Sequence, residues 1–237
     1  MTFDGFQRAL VVGAHPDDID FGAAGTVAKL TDAGVSVAYC LVTNGDAGGF
    51  DPDIPRSEIP RIRREEQTNA AAHCGVTELH FLGYPDGRVE VTLELRRDLS
   101  RVIRIVRPEL VICQSPMRYL DRIYASHPDH LAAGEATLCA VYPDARNPFA
   151  YPELVAEGLD AWTVNEVWLS AHEHPDHVID VTDAVDRKLA ALHEHVSQHQ
   201  DPVAMDARVR DWMRMTAERA GFPEGRFAEA FRRVDTR

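Results

Sequence analysis

The sequence predicts an α/β domain with a mostly parallel sheet and helices on both of its faces. Short apolar runs, typical of buried strands, alternate with longer amphipathic runs, typical of helices. Such alternation favours a parallel sheet, because each crossover helix covers one face. The length of 237 residues, with 45% hydrophobic and 27% charged residues, fits one folded domain over 1–237.

The first strand is predicted at residues 9–15 and the second at 35–43. The helix between them ends at Gly34, because glycine is the preferred residue just past a helix. The next predicted elements are a helix at about 61–73, a strand at 76–83, a helix at about 93–106, a strand at 109–114, a helix at about 128–140, strands at 164–170 and 178–182, and a helix from 183. The last stretch, about 206–231, is predicted to be helical and packed on the outside of the domain.

The net charge of −13 argues against a nucleic-acid partner, because a negative surface repels phosphate backbones. The best basic cluster, at 61–64, is short and is followed by two glutamates. No window approaches the ~18 apolar residues of a membrane span, and the first residues lack the pattern of a signal peptide. We therefore expect a cytoplasmic protein with no membrane span, and homo-oligomerisation stays open.

Two short motifs come directly after predicted strands, where open α/β sheets bind their ligands. His15 and Asp18 lie three residues apart after the first strand, and His127 and His130 repeat that spacing with Pro128 at the start of a helix. Two histidines and one carboxylate around an open position form the donor set of a catalytic zinc. The pattern therefore predicts Zn²⁺ held by His15, Asp18 and His130.

The residues beside these ligands suit amide hydrolysis. A zinc ion at this site would lower the pKa of a bound water toward ~7 and make it a nucleophile at neutral pH. Asp17 is predicted to be the general base, and His127 either stabilises the oxyanion or protonates the leaving amine. Asp129 has a plainer interpretation, since an acidic residue in the first turn favours the helix dipole.

The letters HPDH occur a second time, at 174–177, between two predicted strands and with no helix after them. We interpret this second tetrapeptide as a surface turn, with a liganding role for His174 or His177 as the alternative. His193, His195 and His199 lie on or just past a predicted helix and are expected to form a solvated face. The alternative, in which one of them lines the rim of the cleft, stays open.

Five segments in order resemble one known family. They are AHPDDID at 14–20, VTNGDAGG at 42–49, Arg63 with Glu66 before AAHCGV, LGYPDG at 82–87, and HPDH at 127–130. Together they resemble the PIG-L/LmbE-like family of zinc N-deacetylases. The resemblance implies a Rossmann-like single domain that hydrolyses the acetamide of an N-acetylglucosamine-type sugar conjugate to an amine and acetate.

The resemblance also assigns roles to individual residues. It implies His15, Asp18 and His130 as metal ligands, Asp17 as general base, His127 as the oxyanion-stabilising histidine, and Arg63 and Asp86 as sugar-contacting residues. Two plain alternatives stay open. Arg63 also fits a surface residue paired with Glu66 or Gln67, and the Pro-Asp-Gly triplet that contains Asp86 is first of all a turn.

The chain departs from the family pattern at two positions. The family often has Glu directly after the second Asp of its first motif, whereas this chain has Ile19 followed by Asp20. Some members place a tyrosine two residues before HPDH, where this chain has Ala125 preceded by Tyr124. Whether Tyr124 assists catalysis stays open.

Two other functions fit parts of the pattern. A 2-His-1-carboxylate triad also holds Fe²⁺ in oxygenases, and Fe²⁺ could occupy the same site in a hydrolase. A non-catalytic sugar or nucleotide binder would have no need for Asp17. The first strand turn also lacks the G-x-G-x-x-G that brings a backbone close to a pyrophosphate.

Overall fold

The computed structural model describes residue 3 and residues 5–237. Its strands are β1 (Arg8–Gly13), β2 (Ser36–Thr43), β3 (Glu78–Tyr84), β4 (Leu110–Gln114), β5 (Glu166–Ser170), β6 (His177–Asp180) and β7 (Ala228–Asp235). Its α-helices are α1 (Asp18–Asp32), α2 (Ile59–His73), α3 (Leu93–Val106), α4 (Pro128–Cys139), α5 (Pro152–Ala156), α6 (Val185–His193) and α7 (Pro202–Arg219). Among these residues, no helix has the length and apolar character needed to cross a membrane.

The seven strands form one mixed sheet with the order β3-β2-β1-β4-β5-β7-β6. The first five strands in this order are parallel, and β7 is antiparallel to both of its neighbours. The prediction of a mostly parallel α/β sheet is confirmed. The chain builds outward from β1 in one direction to β3 and then restarts on the other side with β4. The loops that leave β1 and β4 therefore flank the crevice at this switch point, where such sheets bind ligands.

The sheet is buried on both faces. Helices α1, α2, α6 and α7 pack against one face, where Val11 of β1 lies, while α3 and α4 pack against the other, where Leu10 and Val12 lie. Because both sides of β1 are covered, its sequence is a continuous apolar run with no polar alternation.

The C-terminal segment differs from the prediction of a helical stretch over 206–231. Helix α7 ends at Arg219, and β7 begins at Ala228 and pairs between β5 and β6. Phe231, which fits the apolar stripe of a continued helix, is instead fully buried in the core beneath the sheet. Pairing with two strands that are distant in sequence overrides the local pattern here.

Strand β7 also anchors α1. The Glu229 carboxylate accepts hydrogen bonds from the main-chain N–H groups of Gly25 (3.0 Å) and Thr26 (2.8 Å) and forms an ion pair with Lys188. The Lys188 ammonium donates in turn to the Phe21 carbonyl at 2.7 Å. Both charges are almost fully buried, and their hydrogen bonds offset the cost of that burial. Helix α1, which begins at the crevice, is thus tied to the last strand of the chain.

Candidate metal centre and active site

The chain turns sharply between β1 and α1. Asp17 has a φ of 94°, a left-handed conformation that residues other than glycine rarely adopt. Asp18 is the first residue of α1, and its Oδ2 accepts a hydrogen bond from the main-chain N–H of His15 at 2.7 Å. The turn therefore brings His15 and Asp18 side by side, as their spacing predicts.

Helix α4 approaches the same crevice from the end of β4. Pro128 occupies its first turn, and His127 is its N-cap. A Cβ atom on Gly134 would lie 2.3 Å from the carbonyl oxygen of Gln114 at the end of β4. Only glycine allows this approach, which brings the start of α4 and His130 toward the loop after β1.

Asp18 lies between two imidazoles. Its Oδ2 is 3.1 Å from Nδ1 of His15, and its Oδ1 is 3.0 Å from Nε2 of His130. Donor atoms in a tetrahedral zinc site are roughly 3.4 Å apart, given metal–ligand distances of about 2.0–2.2 Å. Each of these two distances is close to that separation, but Asp18 uses a different oxygen for each histidine. Among the described residues, the groups of three donor atoms that lie within 4.8 Å of one another do not include Asp18.

The other nitrogen of His15 faces two more carboxylates. Nε2 of His15 is 3.2 Å from Oδ2 of Asp129 and 3.2 Å from Oδ1 of Asp86. Asp129 is buried and also accepts hydrogen bonds from the main-chain N–H groups of Gly87 (2.7 Å) and Val89 (3.2 Å). From the sequence alone, only a helix-dipole role is predicted for Asp129. Its position inside HPDH carries no signal that its side chain turns back toward the first motif.

His127 also lies in this cluster. Its ring centroid is 5.0 Å from that of His15 and 5.3 Å from that of His130. Ring nitrogens of these three histidines lie within 4.8 Å of one another, as do donor atoms of His15, Asp86 and Asp129. The described residues therefore offer two overlapping groups that could hold a cation, with His15 common to both.

The carboxylates control the charge of the two predicted histidine ligands. Burial alone would lower the pKa of His15, but Asp18, Asp129 and Asp86 outweigh it and raise that pKa to about 12. Burial also lowers the pKa of His130, but the charge of Asp18 and its hydrogen bond outweigh burial, so the pKa of His130 is raised. The carboxylates around both rings therefore favour positive charge at this place. A bound cation would supply that charge instead of the two ring protons.

His127 has the opposite behaviour. Its Nδ1 accepts a hydrogen bond from the main-chain N–H of Asp129 at 3.1 Å. Burial and the charges of His15 and His130 lower its pKa. The ring is therefore neutral near pH 7 with its proton on Nε2, which makes it a hydrogen-bond donor.

Asp17 lies at the edge of the cluster and contacts Arg63. Its Oδ2 is 3.2 Å from Nη2 of Arg63. Burial raises the pKa of Asp17, the Arg63 charge lowers it and the Asp18 charge raises it again, with a net value of about 6. Asp17 is therefore ionised at neutral pH and only weakly basic, which suits a group that takes and returns a proton.

Arg63 is buried, with 3% of its surface exposed. Its guanidinium donates to the carbonyl of Pro16 and, at 3.2 Å, to the carbonyl of Gly45. A Cβ atom on Gly45 would lie 2.2 Å from Nη1, so the glycine leaves room for this side chain. The alternative of a surface arginine paired with Glu66 or Gln67 is wrong, because Arg63 is buried and donates to the loops after β1 and β2.

Asp86 lies between His15 and Arg63. In addition to its contact with His15, the Asp86 carboxylate accepts a hydrogen bond from the main-chain N–H of Ala47 at 3.3 Å and lies 4.0 Å from Nη1 of Arg63. The Asp86 main-chain N–H donates to Oδ1 of Asp46 at 2.8 Å. The turn at 85–87 thus presents Asp86 to the crevice, close to both Arg63 and His15.

A buried polar group lies behind Asp17 and was not predicted from the sequence. Gln67, Asp20 and His195 are all fully buried and are joined by hydrogen bonds. The expectation that His195 belongs to a solvated face is wrong, because the segment after α6 folds back against α1 and α2. The signal was present in the polar residue at position 20, two residues after a predicted ligand.

Residues 174–176 of the second HPDH segment lie in an exposed connection, as predicted, whereas His177 is the first residue of β6 and its ring packs on Trp168. The main-chain N–H of Arg233 donates to Asp176 at 2.8 Å, and the Arg232 guanidinium forms an ion pair with the same carboxylate. The side chain of His174 is 80% exposed.

Tyr124 lies on the surface beside the loop that precedes α4. Its ring stacks on Trp212 of α7, with ring centroids 6.2 Å apart and planes 7° from parallel. Its hydroxyl accepts a hydrogen bond from Nε of Arg122 at 3.0 Å.

Comparisons with known proteins agree on one family. The family model described as PIG-L, GlcNAc-PI de-N-acetylase, matches residues 10–141. Diacetylchitobiose deacetylase of Thermococcus kodakarensis is 34% identical over 201 residues, which cover 85% of this chain and 73% of the relative. A probable N-acetyl-alpha-D-glucosaminyl L-malate deacetylase 2 of Bacillus anthracis is 33% identical over 200 residues, which cover 81% of each chain.

A solved structure supports the same relationship. N,N'-diacetylchitobiose deacetylase from Pyrococcus horikoshii, complexed with its inhibitor MPG, superposes with a TM-score of 0.90 at 29% identity. The superposition covers 99% of this chain and 86% of that one. The likeness therefore extends beyond the crevice to β6 and β7.

Proposed function

The chain belongs to the PIG-L family of hydrolytic N-deacetylases, and from that premise we propose that it is a zinc-dependent enzyme that removes the N-acetyl group from an N-acetylglucosamine-type sugar conjugate. One observation carries the proposal. Asp18 lies within 3.1 Å of Nδ1 of His15 and 3.0 Å of Nε2 of His130, and a carboxylate that binds neither imidazole, Asp17, lies directly beside it.

His15, Asp18 and His130 fit a zinc ion in the chemistry of their donor atoms, and Asp18 contacts both imidazoles. Two neutral imidazoles and one carboxylate leave a position open, and such an ion supplies a Lewis acid that acidifies water and polarises a carbonyl. If His15 binds through Nδ1, its Nε2–H donates to Asp129 at 3.2 Å. A carboxylate in that place fixes the tautomer and orientation of a metal-binding histidine.

Asp17 acts as the general base. Its carboxylate adjoins the ligand Asp18, and its pKa of about 6 leaves it ionised at neutral pH. It takes a proton from the attacking water and can return that proton to the amine nitrogen when the C–N bond breaks.

His127 stabilises the oxyanion. Because its Nδ1 is occupied by the N–H of Asp129, the ring can offer only the Nε2 proton to the crevice. A neutral donor of this kind favours negative charge that develops on the acetamide oxygen. Its lowered pKa argues against the alternative role, in which the same ring would protonate the leaving amine.

Arg63 and Asp86 contact the sugar. Both face the crevice beside the ligands, with Nη1 of Arg63 and Oδ2 of Asp86 4.0 Å apart. A guanidinium and a carboxylate together can donate to and accept from neighbouring hydroxyl groups of a pyranose. The substrate class is accordingly a small amino-sugar conjugate.

The test is release of free amine from N,N'-diacetylchitobiose and from an N-acetylglucosaminyl malate. Metal-stripped protein is assayed alone, with one equivalent of Zn²⁺, and anaerobically with one equivalent of Fe²⁺. Zinc-dependent release is expected, and release supported by Fe²⁺ alone would replace zinc with iron in the proposal. Equal release with and without metal, or none from either substrate once bound metal is verified, would contradict it.

Asp17→Asn is the matched variant for the general base. It is expected to bind zinc as the parent does and to lose about 10²–10⁴-fold in kcat. Asp176→Asn, an identical change in the second HPDH segment, serves as the control and is expected to retain full activity. Parental activity in Asp17→Asn would exclude it as the base.

A further inference from the structure

We propose that helix α2 clamps the peptide bond between Pro16 and Asp17, and that Gln67 is a positioning residue for the general base through a buried relay to Asp20 and His195. The proposal rests on the proposed function, in which Asp17 is the base. It concerns residues with no assigned role, and it explains why the chain holds an unfavourable backbone conformation at this point.

Both sides of this one peptide bond are held by α2. The Pro16 carbonyl accepts a hydrogen bond from Nη2 of Arg63, and the Asp17 N–H donates to Oε1 of Gln67 at 2.9 Å. Arg63 and Gln67 are four residues apart and therefore lie on the same face of the helix. Two bonds to opposite edges of a peptide fix the orientation of its plane, and with it the direction in which the chain leaves toward Asp17.

The clamp accounts for the conformation of Asp17. A φ of 94° is unfavourable for a residue with a Cβ atom and persists only where surrounding contacts enforce it. The third contact is the 3.2 Å ion pair between Oδ2 of Asp17 and Nη2 of Arg63. The main chain and the side chain of the base are thus both held by α2.

Gln67 needs a defined amide orientation to accept from Asp17. Its Nε2 donates to Oδ2 of Asp20 at 2.8 Å, and a carboxylate can only accept, so the amide oxygen must point toward Asp17. Nε2 of His195 donates to the same Oδ2 at 2.8 Å. Asp20, Gln67 and His195 are each 0% exposed.

The His195–Asp20 pair is directed at Gln67. Among the described residues, nothing bonds to Oδ1 of Asp20 or to Nδ1 of His195. The segment that carries His195 is docked on α2 by Ser197, whose N–H and hydroxyl both donate to Glu66 at 2.7 Å. A fully buried pair of polar side chains whose only further side-chain partner among the described residues is one amide is costly to keep for packing alone. We therefore infer that the Asp20–His195 pair serves to orient the Gln67 amide.

The decisive variant is Gln67→Met, which keeps the length of the side chain and removes both hydrogen bonds without adding charge. We expect kcat to fall about 10- to 100-fold, the range for loss of a group that orients a functional side chain. KM and bound zinc should stay within about twofold of the parent. Ser100→Ala, which removes another buried hydrogen bond on α3, is the control and should not change kcat.

A double variant separates positioning from general stability. If Gln67 acts through Asp17, then Gln67→Met should cost little more once Asp17→Asn is in place. Independent losses that multiply in the double variant would overturn the proposal. Loss of zinc in parallel with kcat would also overturn it, because the clamp would then serve the metal site as a whole.

A readout without turnover checks the geometry itself. In metal-free protein, amide hydrogen exchange at Asp17 should quicken at least ~10-fold in Gln67→Met relative to Ser100→Ala, because the N–H loses its acceptor. Unchanged exchange would overturn the clamp even if the enzyme proves to be a deacetylase. Faster exchange in a protein with no amine release would refute the proposed function and leave the clamp standing.

The relay is tested by a pair of changes at His195. His195→Gln keeps a donor toward Asp20 and should restore most of the kcat that His195→Leu loses. Equal losses in the two variants, with both folded by circular dichroism, would remove His195 from the relay.

Discussion

The two HPDH segments have the same four residues in two different surroundings. Residues 127–130 come after the central parallel strand β4 and start α4, whereas residues 174–177 lie after β5 and lead into the edge strand β6, whose first residue is His177. In the first, the aspartate faces His15 and two main-chain N–H groups; in the second, it pairs with arginines on β7. The residue letters alone therefore carry no function in this chain.

The two segments differ in the next element of the chain and in the groups that face them. A helix after the first segment places His127 and His130 on adjacent turns, and the switch point of the sheet supplies carboxylates from the loop after β1. The second segment lies beside the antiparallel ladder of β6 and β7, and its aspartate contacts Arg232 and Arg233 there. Matched substitutions at the same position of each segment should therefore have unequal effects.

The largest difference is expected between His130→Asn and His177→Asn. Loss of His130 removes a proposed ligand, so zinc occupancy should fall and amine release should drop below ~1% of the parent rate, since the reaction loses its acidified water. His177→Asn should retain both, measured by metal analysis and initial rates. A fully active His130→Asn would remove this residue from the metal site.

The next largest difference is expected between the first histidines of the two segments, His127 and His174. His127→Phe should lower kcat by about 10²–10³-fold while bound zinc is kept, because a donor to the oxyanion is lost. His174→Phe changes an exposed ring and should leave kcat unchanged. Zinc loss in His127→Phe would instead make His127 a ligand, which the short distances among the three histidines also allow.

Substitution of the aspartate in each segment should change the zinc affinity of the protein to different extents. Asp129→Asn weakens the acceptor for Nε2 of His15, and we expect a roughly 10- to 100-fold higher Kd for zinc in competition with a chelating dye. Asp176→Asn removes a surface ion pair and should cost at most about 1 kcal/mol in urea unfolding, with no change in zinc Kd. Equal zinc affinities in the two variants would contradict the orienting role of Asp129.

The last comparison concerns the pH dependence of stability in the metal-free protein. His15 has a pKa raised to about 12, so its stabilising contribution is complete below the unfolded value near 6.5 and is lost as pH rises toward 12. Stability should therefore decline between about pH 7 and 9 by up to about 1.4 kcal/mol per pH unit, measured by urea unfolding. Burial and Arg233 lower the pKa of His177, so its contribution changes only below pH 6.5. His15→Asn should flatten the slope, and His177→Asn should not.

The order of elements could be predicted because most strands and helices have their own apolar periodicity and are bounded by glycine, proline or polar residues. Strand β7 could not, since its place is set by pairing with β5 and β6, and its local pattern continues that of α7. At the site, spacing identified His15, Asp18 and the second motif, because all of them come after strand ends. Asp129 and His195 were missed since their roles depend on contacts 114 and 175 residues away in sequence.

The bond from Glu229 to α1 has a consequence for the order of folding. The two hydrogen bonds span 204 and 203 positions of the sequence, so the helix that starts at Asp18 gains this anchor only after Glu229 has emerged from the ribosome. Contacts of such long range form slowly and late. The loop after β1 is therefore made early, whereas one anchor of the helix that follows it comes from a strand made more than 200 residues later.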